Sequence, residues 1–294
     1  MKTINCNLKY IAAIVVAAAI GITAANVFGQ ETVNKDKNKA EYKAKDKGFC
    51  NNNNWSSDDR VSFNDLREMT IPATGSITVD GDQNGGIGVN GEDRSDIVIR
   101  ACVQAWDKTE EAAKAVAGNI KISASGTIKA ENGPDERNWS VSYQILVPRS
   151  TNLILTAHNG GISISGVDGS SEFQTMNGGV NLSNVSGDFK GRTTNGGINV
   201  TLSGNSWKGS GLDVQTTNGG VHISMPGNYA AHVETGTVNG GFSSDIPSLN
   251  IEKTDENGRR RATKISTDLN GGGAPIRVTT TNGGVRISTP AGEK

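Results

Sequence analysis

Residues suited to acid–base or metal chemistry are sparse in this sequence. Of its 294 residues only three are histidines, His158, His222 and His232. Glycine pairs recur along the chain, and His158 precedes one of these pairs whereas His222 follows another. These two side chains therefore project from different strands and are poorly placed to share a metal ion. Cleavage of a polysaccharide needs two or more convergent carboxylates, and no Asp or Glu recurs at one position of the repeats. We therefore expect no catalytic residue, no metal site and no cofactor.

The glycine pairs belong to a periodic signal, Asn-Gly-Gly followed by an apolar residue. Copies begin at Asn84, Asn159, Asn177, Asn195, Asn218, Asn239 and Asn282. The copies from Asn159 to Asn195 are spaced eighteen residues apart. A period near twenty residues with one turn signal per period is typical of stacked solenoid proteins. The pattern predicts an all-β protein whose residues 151–294 form a parallel β-solenoid repeat domain.

Apolar residues alternate with polar ones on both sides of each glycine pair. Leu153 and Leu155 precede the first pair of this domain, and Ile162 and Ile164 follow it. Side chains two residues apart share one face of a strand, so both flanking strands keep an apolar face inward. A series of hairpins turning at Asn-Gly is the alternative. Hairpins would not require near-identical positions one period apart, so the pattern favours the solenoid.

The recurring residue types suggest two structural roles. Glycine tolerates the positive φ of a sharp corner, and the predicted corner glycines are Gly160, Gly161, Gly178, Gly179, Gly196, Gly197, Gly219, Gly220, Gly283 and Gly284. Each asparagine follows an inward position by two residues, so we expect it to face inward and to form an amide ladder from rung to rung. The predicted ladder residues are Asn159, Asn177, Asn195, Asn218, Asn239 and Asn282.

The first 60 residues have the composition of a targeting segment and a linker. Residues 1–29 carry Lys2 and Lys9 and then an uncharged apolar run, which predicts a cleaved export signal. The alternative is a retained membrane anchor, because the run is near the ~20 residues that a membrane span requires. Residues 30–60 are almost free of apolar side chains and are predicted to be a disordered polar linker. The sequence leaves two alternatives for Cys50 and Cys102. They form a disulfide in the exported protein, or they are two unrelated thiols.

Residues 61–150 are predicted to be a β-rich lead-in region with one short helix. Strands are expected at 77–79, 97–103, 120–122 and 141–147, where β-forming residues alternate or cluster. Asp107 or Thr109 suits the helix N-cap, Glu110 suits its first turn, and Gly118 ends it. The early Asn84 signal indicates that this region leads into the same stack.

The surface of the repeats is polar and nearly uncharged overall. A formal net charge of −1 argues against a nucleic-acid partner. A wall of Ser, Thr and Asn with Gln174, Arg192 and Gln215 is suited to contact with a polysaccharide. Trp207 and Tyr229 interrupt the regular pattern and either stack on sugar rings or cap a loosened rung.

After Asn239 the period is broken by a charged insertion. Its three consecutive arginines, Arg259, Arg260 and Arg261, are candidates for contact with an acidic partner. The alternative is a solvated hairpin in which they pair with neighbouring carboxylates.

Several runs resemble the bacterial putative-adhesin family, exported β-strand-repeat proteins of largely unknown function. These are Val147-Pro148-Arg149-Ser150, the stretch from Asn159 to Gly169, and the stretches from Leu269 to Val278 and from Thr281 to Val285. The resemblance is strongest over 147–294. It implies a right-handed parallel β-solenoid (β-helix) in the cell envelope, and the family supplies no established catalytic residues.

Together these observations predict an exported, non-enzymatic envelope protein located in the periplasm, on the cell surface or outside the cell. Its partner would be an envelope or extracellular polysaccharide or protein, with membrane contact only if the N-terminal segment is retained. An accessory protein of envelope stress or signalling is the alternative. A carbohydrate-active β-helix enzyme is a third possibility.

Overall fold

The computed structural model describes residues 48–50, 56–57, 59–135, 138–249 and 263–290. The predicted signal segment, most of the predicted linker and Arg259, Arg260 and Arg261 lie outside these residues. Within them the chain is almost entirely β-structure, as the sequence indicated.

The strands of the lead-in region are β1 (Ser56–Ser57), β2 (Arg60–Pro72), β3 (Ser76–Asp80), β4 (Ile87–Glu92), β5 (Asp96–Asp107), β6 (Lys121–Ser123), β7 (Thr127–Glu131) and β8 (Trp139–Pro148). The strands of the repeats are β9 (Asn152–Ala157), β10 (Ile162–Ser165), β11 (Ser170–Thr175), β12 (Val180–Ser183), β13 (Asp188–Asn195), β14 (Ile198–Thr201), β15 (Gly211–Asn218), β16 (Val221–Ser224), β17 (Ala231–Asn239), β18 (Phe242–Ser244), β19 (Thr263–Leu269), β20 (Pro275–Asn282) and β21 (Val285–Ser288). One α-helix, α1 (Glu110–Asn119), and a 3₁₀ turn at Pro247–Leu249 complete the described elements.

These strands form two long sheets. Sheet I has the order β1-β2-β5-β8-β4-β10-β12-β14-β16-β21-β18, and sheet II has the order β19-β17-β20-β15-β13-β11-β9-β3-β7-β6. Inward-facing Val, Ile, Leu and Phe side chains of both sheets belong to one continuous buried core. Burial of these apolar side chains is the main favourable term that holds the two sheets together.

Each period of the sequence forms one coil across both sheets. In the first regular coil β9 lies in sheet II and β10 in sheet I, and the chain then returns to sheet II as β11. Strands in successive coils are parallel and in register: Phe173 of β11 pairs with Leu155 of β9 and with Gly191 of β13. Because the strands on either side of each Asn-Gly-Gly lie in different sheets, the hairpin alternative is wrong.

The last coils are not stacked in chain order, contrary to the simple expectation of one rung upon the next. The coil of β20 and β21 lies between the coil of β15 and β16 and the coil of β17 and β18. Strand β19 then pairs antiparallel with β17 and forms the last strand of sheet II. The C-terminal strands therefore fill a slot between two earlier coils.

The lead-in region is continuous with the repeats, so residue 150 is not a boundary between two bodies. Strand β3 pairs in parallel with β9, and β4 pairs in parallel with β10. Sheet I then continues through β8, β5, β2 and β1, where the pairings of β5 with β8 and of β2 with β5 and β1 are antiparallel. The coil of β3 and β4 is thus the first coil of the stack.

Helix α1 packs against β2 and β5 and is fixed at both ends. Thr109 is its N-cap, and the hydroxyl of Thr109 accepts a hydrogen bond from the backbone N–H of Ala112 at 3.2 Å. At the other end Arg67 donates to the backbone carbonyls of Ala117 and Ile120. Strand β2 was not predicted from the sequence, because Asp65 and Arg67 interrupt the alternation of apolar residues along it.

Cys50 and Cys102 form a disulfide, one of the two alternatives left open by the sequence. It joins residues 52 positions apart and attaches the chain before β1 to the middle of β5. Together with the pairing of Ser56 and Ser57 to β2, it contradicts a disordered linker that continues to residue 60.

In the described part of the chain, no helix has the length and apolar character needed to cross a membrane.

Candidate functional site

Each coil has two corners and two outer faces, and these are the surfaces on which a function can reside. The Asn-Gly-Gly corner connects a strand of sheet II to a strand of sheet I. The opposite corner returns the chain to sheet II. Ladder residues, corner glycines and the polar wall predicted from the sequence are distributed over these four surfaces.

The asparagines form a hydrogen-bonded amide ladder, but on the outside of the molecule. In spatial order the ladder comprises Asn84, Asn159, Asn177, Asn195, Asn218, Asn282 and Asn239. From Asn159 onward, each side-chain Nδ2 donates to the Oδ1 of the preceding asparagine in this order at 2.7–3.0 Å. All six predicted ladder residues are exposed, so the inward assignment is wrong. Strand alternation stops at the corner, where both Thr217 and Asn218 are exposed.

Space requires glycine at the first position of each corner pair, and the left-handed backbone predicted from the sequence is found at neither position. None of the ten predicted corner glycines, all within the described residues, has a φ in the left-handed region. A Cβ on the first glycine of a pair would lie 1.9–2.1 Å from a backbone carbonyl oxygen of a neighbouring coil, as at Gly219, where it would lie 2.0 Å from the carbonyl oxygen of Gly196. A Cβ on the second glycine of a pair has more space: at Gly220 its nearest atom would be the carbonyl oxygen of Gly284 at 3.6 Å.

A row of buried threonines completes this corner. The alignment of the repeats indicates an inward position for Thr175, Thr193 and Thr216, but their hydrogen-bond partners were missed from the sequence. Thr175, Thr193, Thr216, Thr280 and Thr237 each donate from the hydroxyl to the carbonyl oxygen of the first corner glycine of a neighbouring coil, at 2.7–2.8 Å. The repeat is therefore Thr-x-Asn-Gly-Gly. A threonine two residues before the last five ladder asparagines in the sequence was the available signal, because a recurrent polar residue at a buried position needs a partner.

The two outer faces differ in chemistry. On sheet I the central row contains short neutral side chains, with Ser163, Asn181 and Asn199 in register. Sheet II carries mostly polar and charged side chains, several of them long, in two parallel rows. The first row is Ile154, Glu172, Lys190 and Asp213, and the second is Thr156, Gln174, Arg192 and Gln215.

Between these two rows lies an open groove, which we call the trough. Its walls are the eight side chains just named, and its floor is the backbone at Leu155, Phe173 and Gly191, for a volume of about 440 Å³. Gly191 is necessary here because a Cβ at this position would lie 2.0 Å from the ring of Phe173. The trough runs across four successive strands of sheet II, along the direction of stacking.

Hydrogen bonds orient part of the wall of the trough. Arg192 donates from Nη2 to Gln174 Oε1 at 3.0 Å, and Gln215 donates to Asp213 Oδ1 at 3.4 Å. Lys190 bonds to Asp188 at 3.2 Å, outside the trough. The side-chain carboxylate of Glu172 has no hydrogen-bond or ion-pair partner in the part of the chain that the structure describes. Gln174, Arg192 and Gln215, which the sequence indicated as exposed, are thus brought together.

A second polar cluster joins β17 to β19 near the end of the stack. His232 Nδ1 lies 2.7 Å from Asp268 Oδ1, and Ser266 Oγ lies 3.2 Å from His232 Nε2. The hydrogen bond to Asp268 is the main cause that raises the pKa of His232 above 6.5, with a further contribution from the charge of Glu234. This connectivity is that of a Ser-His-Asp triad, but Glu234 Oε1 lies 3.5 Å from the same Nε2. The negative charge of Glu234 at this position would repel the oxyanion that forms when a serine attacks a carbonyl group. The cluster is therefore better suited to fastening β19 than to catalysis.

Trp207 and Tyr229 are buried, which excludes stacking on a sugar. Trp207 donates from its ring N–H to the carbonyl oxygen of Gly187 at 3.0 Å and meets Phe189 edge-on. Burial raises the pKa of Tyr229 to about 12. Both aromatic residues fill the wider loops at the opposite corner, in agreement with the capping alternative.

Across the described residues no group of three or more His, Cys, Asp or Glu side chains is placed to hold a metal ion.

Comparison with known proteins identifies the family. The family model Toastrack DUF4097 matches residues 58–288, and the chain belongs to this family. The match includes the lead-in region, in agreement with the continuous sheets. No curated protein matches the sequence.

Comparison with solved structures gives distant matches from several bacteria. A putative cell adhesion protein from Clostridium sporogenes is 10% identical, covers 77% of this chain and 100% of its own, and has a TM-score of 0.41. A putative adhesin from Bacteroides fragilis is 11% identical, covers 78% and 97%, and has a TM-score of 0.33. A putative lipid binding protein from Parabacteroides distasonis is 11% identical, covers 77% and 96%, and has a TM-score of 0.30.

Proposed function

We propose that this protein is an exported, non-enzymatic component of the bacterial cell envelope that binds a polymer or protein partner along its coils, as an adhesin or a scaffold. The observation that carries the proposal is the in-register repetition of polar side chains on the outer faces. Each coil can contact one group of the partner molecule, so that many weak contacts add up to a stable complex without a deep pocket.

Two features support an exported location. The N-terminal segment has the composition of an export signal. The Cys50–Cys102 disulfide requires an oxidising compartment, such as the periplasm or the cell exterior. The proposal includes the right-handed winding that the family resemblance implies, which is also the usual hand of parallel crossover connections.

The absence of enzymatic activity is part of the proposal. Catalysis requires a nucleophile or an acid–base pair held in reach of a bound substrate. In the trough the only carboxylates are Glu172 and Asp213, separated by the strand of Lys190 and without a histidine beside them. The proposal therefore assigns binding, and no bond cleavage, to this surface.

The test combines location with binding. Intact cells that produce the full-length protein are treated with protease and compared with lysed cells, and the purified protein is incubated with the washed envelope fraction of the same cells. We expect the protein to be degraded on intact cells or protected until the outer envelope is opened, and to sediment with the envelope fraction. Recovery in the cytoplasm, or failure to sediment with any envelope fraction, would overturn the proposal.

A further inference from the structure

We propose that the trough is a binding site for a neutral glycan chain that lies along the direction of stacking, with about one sugar unit per coil. This inference rests on the proposed function and specifies its ligand. Three properties of the trough lead to it: its repeat distance, its charge balance and the kinds of groups on its walls.

The repeat distance of the trough favours a sugar chain over an extended peptide. Successive coils place equivalent wall residues about 4.8 Å apart, the spacing of neighbouring strands. A peptide strand advances about 3.4 Å per residue, so its side chains would fall out of step with the coils. A pyranose linked through opposite positions of its ring spans close to one coil, so each unit can meet an equivalent pair of wall residues.

The charge balance favours a neutral ligand. Glu172 and Asp213 oppose Lys190 and Arg192 on walls of the same trough, and these four formal charges cancel. A nucleic acid or an acidic polymer gains affinity by placing its charges against an excess of Lys and Arg. The trough has no such excess, since Lys190 is bonded to Asp188 and Arg277 lies 3.7 Å from Asp213.

The wall groups suit hydroxyls. Gln174 and Gln215 each present an amide with donors and an acceptor, and Arg192 has guanidinium N–H groups beyond the one that bonds to Gln174. The free carboxylate of Glu172 is an acceptor for a pair of neighbouring hydroxyls. Ile154 is 50% exposed at one end of the trough and offers an apolar surface to the C–H face of a sugar ring.

The opposite outer face provides a matched control within the same protein. Its row of short side chains, such as Ser163 and Asn181, forms no comparable pair of walls. Arg286 is an exposed strand arginine on that face, in register with His222. Arg286→Ala therefore removes the same kind of side chain as Arg192→Ala without altering the trough.

The experiment measures retention of the purified protein on immobilised neutral 1,4-linked hexasaccharides, namely cellohexaose, maltohexaose and hexa-N-acetylchitohexaose, with hexagalacturonate as the charged comparison. We expect at least one neutral hexasaccharide to bind, and hexagalacturonate to bind at least tenfold more weakly. Arg192→Ala and Gln174→Ala should each weaken that binding at least tenfold, whereas Arg286→Ala should leave it within twofold. Melting temperatures of the variants should match that of the natural protein, because all three side chains are exposed.

The outcomes separate this inference from the proposed function. If no neutral hexasaccharide binds, or if Arg192→Ala and Arg286→Ala have equal effects, the trough is not a neutral-glycan site. Preferred binding of hexagalacturonate overturns the inference as well. If the protein still sediments with the envelope fraction in these cases, the proposed function stands and only its ligand site is wrong; if it does not, both fail.

Discussion

At the Asn-Gly-Gly corner the glycines have ordinary backbone angles, whereas the opposite corner contains residues with a left-handed φ, such as Gly166 at 67° and Asn184 at 51°. These two residues occupy equivalent positions, one after β10 and one after β12. Asparagine can replace glycine there because it adopts the left-handed conformation at modest cost. It cannot replace the first corner glycine, where the space for any Cβ is occupied by the next coil.

The two corners also differ in how much variation they allow. The Asn-Gly-Gly corner has the same length in each regular coil because its backbone is stacked directly on its neighbours. Between β10 and β17 the opposite corner ranges from the four residues 184–187 to the nine residues 202–210, and its longer loops carry Trp207 and Tyr229 into the core. Steric stacking at one corner therefore fixes the register, and the other corner absorbs insertions.

The largest effect is expected from Gly219→Ala. The new Cβ would lie 2.0 Å from the carbonyl oxygen of Gly196, which a rigid stacked backbone cannot move aside, so we expect a loss of about 3 kcal/mol in the free energy of unfolding. The matched variant Gly220→Ala has its nearest atom at 3.6 Å and should change stability by less than about 1 kcal/mol. Denaturant unfolding measures both. Equal losses in the two variants would mean that backbone conformation, and not space, selects glycine at this corner.

The second largest effect is expected from Thr216→Val. Valine keeps the shape of the buried side chain but removes the 2.8 Å hydrogen bond to the carbonyl oxygen of Gly196, so we expect a loss of about 2 kcal/mol. Thr217→Val changes the exposed neighbour and should cost less than about 0.5 kcal/mol. If the two thermal unfolding curves coincide, the threonine row does not stabilise the corner.

Periodicity made the solenoid predictable, because each coil must solve the same packing problem with the same residues. The pairing of asparagines between coils followed from the same argument. Their outward direction did not, because the alternation of buried and exposed residues ends at Thr216, although strand β15 continues through two exposed residues to Asn218. The conformation of Gly219 was also misjudged, because a clash with another coil is invisible in the local sequence.

The candidate site was only partly accessible from the sequence. Gln174, Arg192 and Gln215 were identified as exposed, yet their assembly into one wall depends on the register of three strands. The position of β20 between β15 and β17 reverses chain order and has no local signal. Long-range pairing of this kind is decided by tertiary packing, which propensity and pattern do not encode.

A smaller effect is expected from Asn195→Ala, which removes the amide in the middle of the ladder. It breaks the 2.8 Å bonds to Asn177 and to Asn218. Because the ladder is exposed, water can hydrate the two remaining amides, and we expect a loss of about 1.5 kcal/mol. Ser203→Ala, an exposed change at the opposite corner, is the control. A loss well above that of Thr216→Val would indicate that the ladder is shielded from water after all.

The smallest effect is expected at Gly204, where the opposite corner can be tested without steric interference. Gly204 has a φ of 73°, and a Cβ there would meet no atom within 4 Å. The cost of Gly204→Ala is then conformational alone, about 1 kcal/mol. Gly204→Asn should cost about half of this, since asparagine tolerates the left-handed region. Comparison of the two variants by denaturant unfolding isolates the conformational requirement, just as Gly219→Ala isolates the steric one. If alanine and asparagine were equally costly here, the contrast between the two corners would not rest on φ.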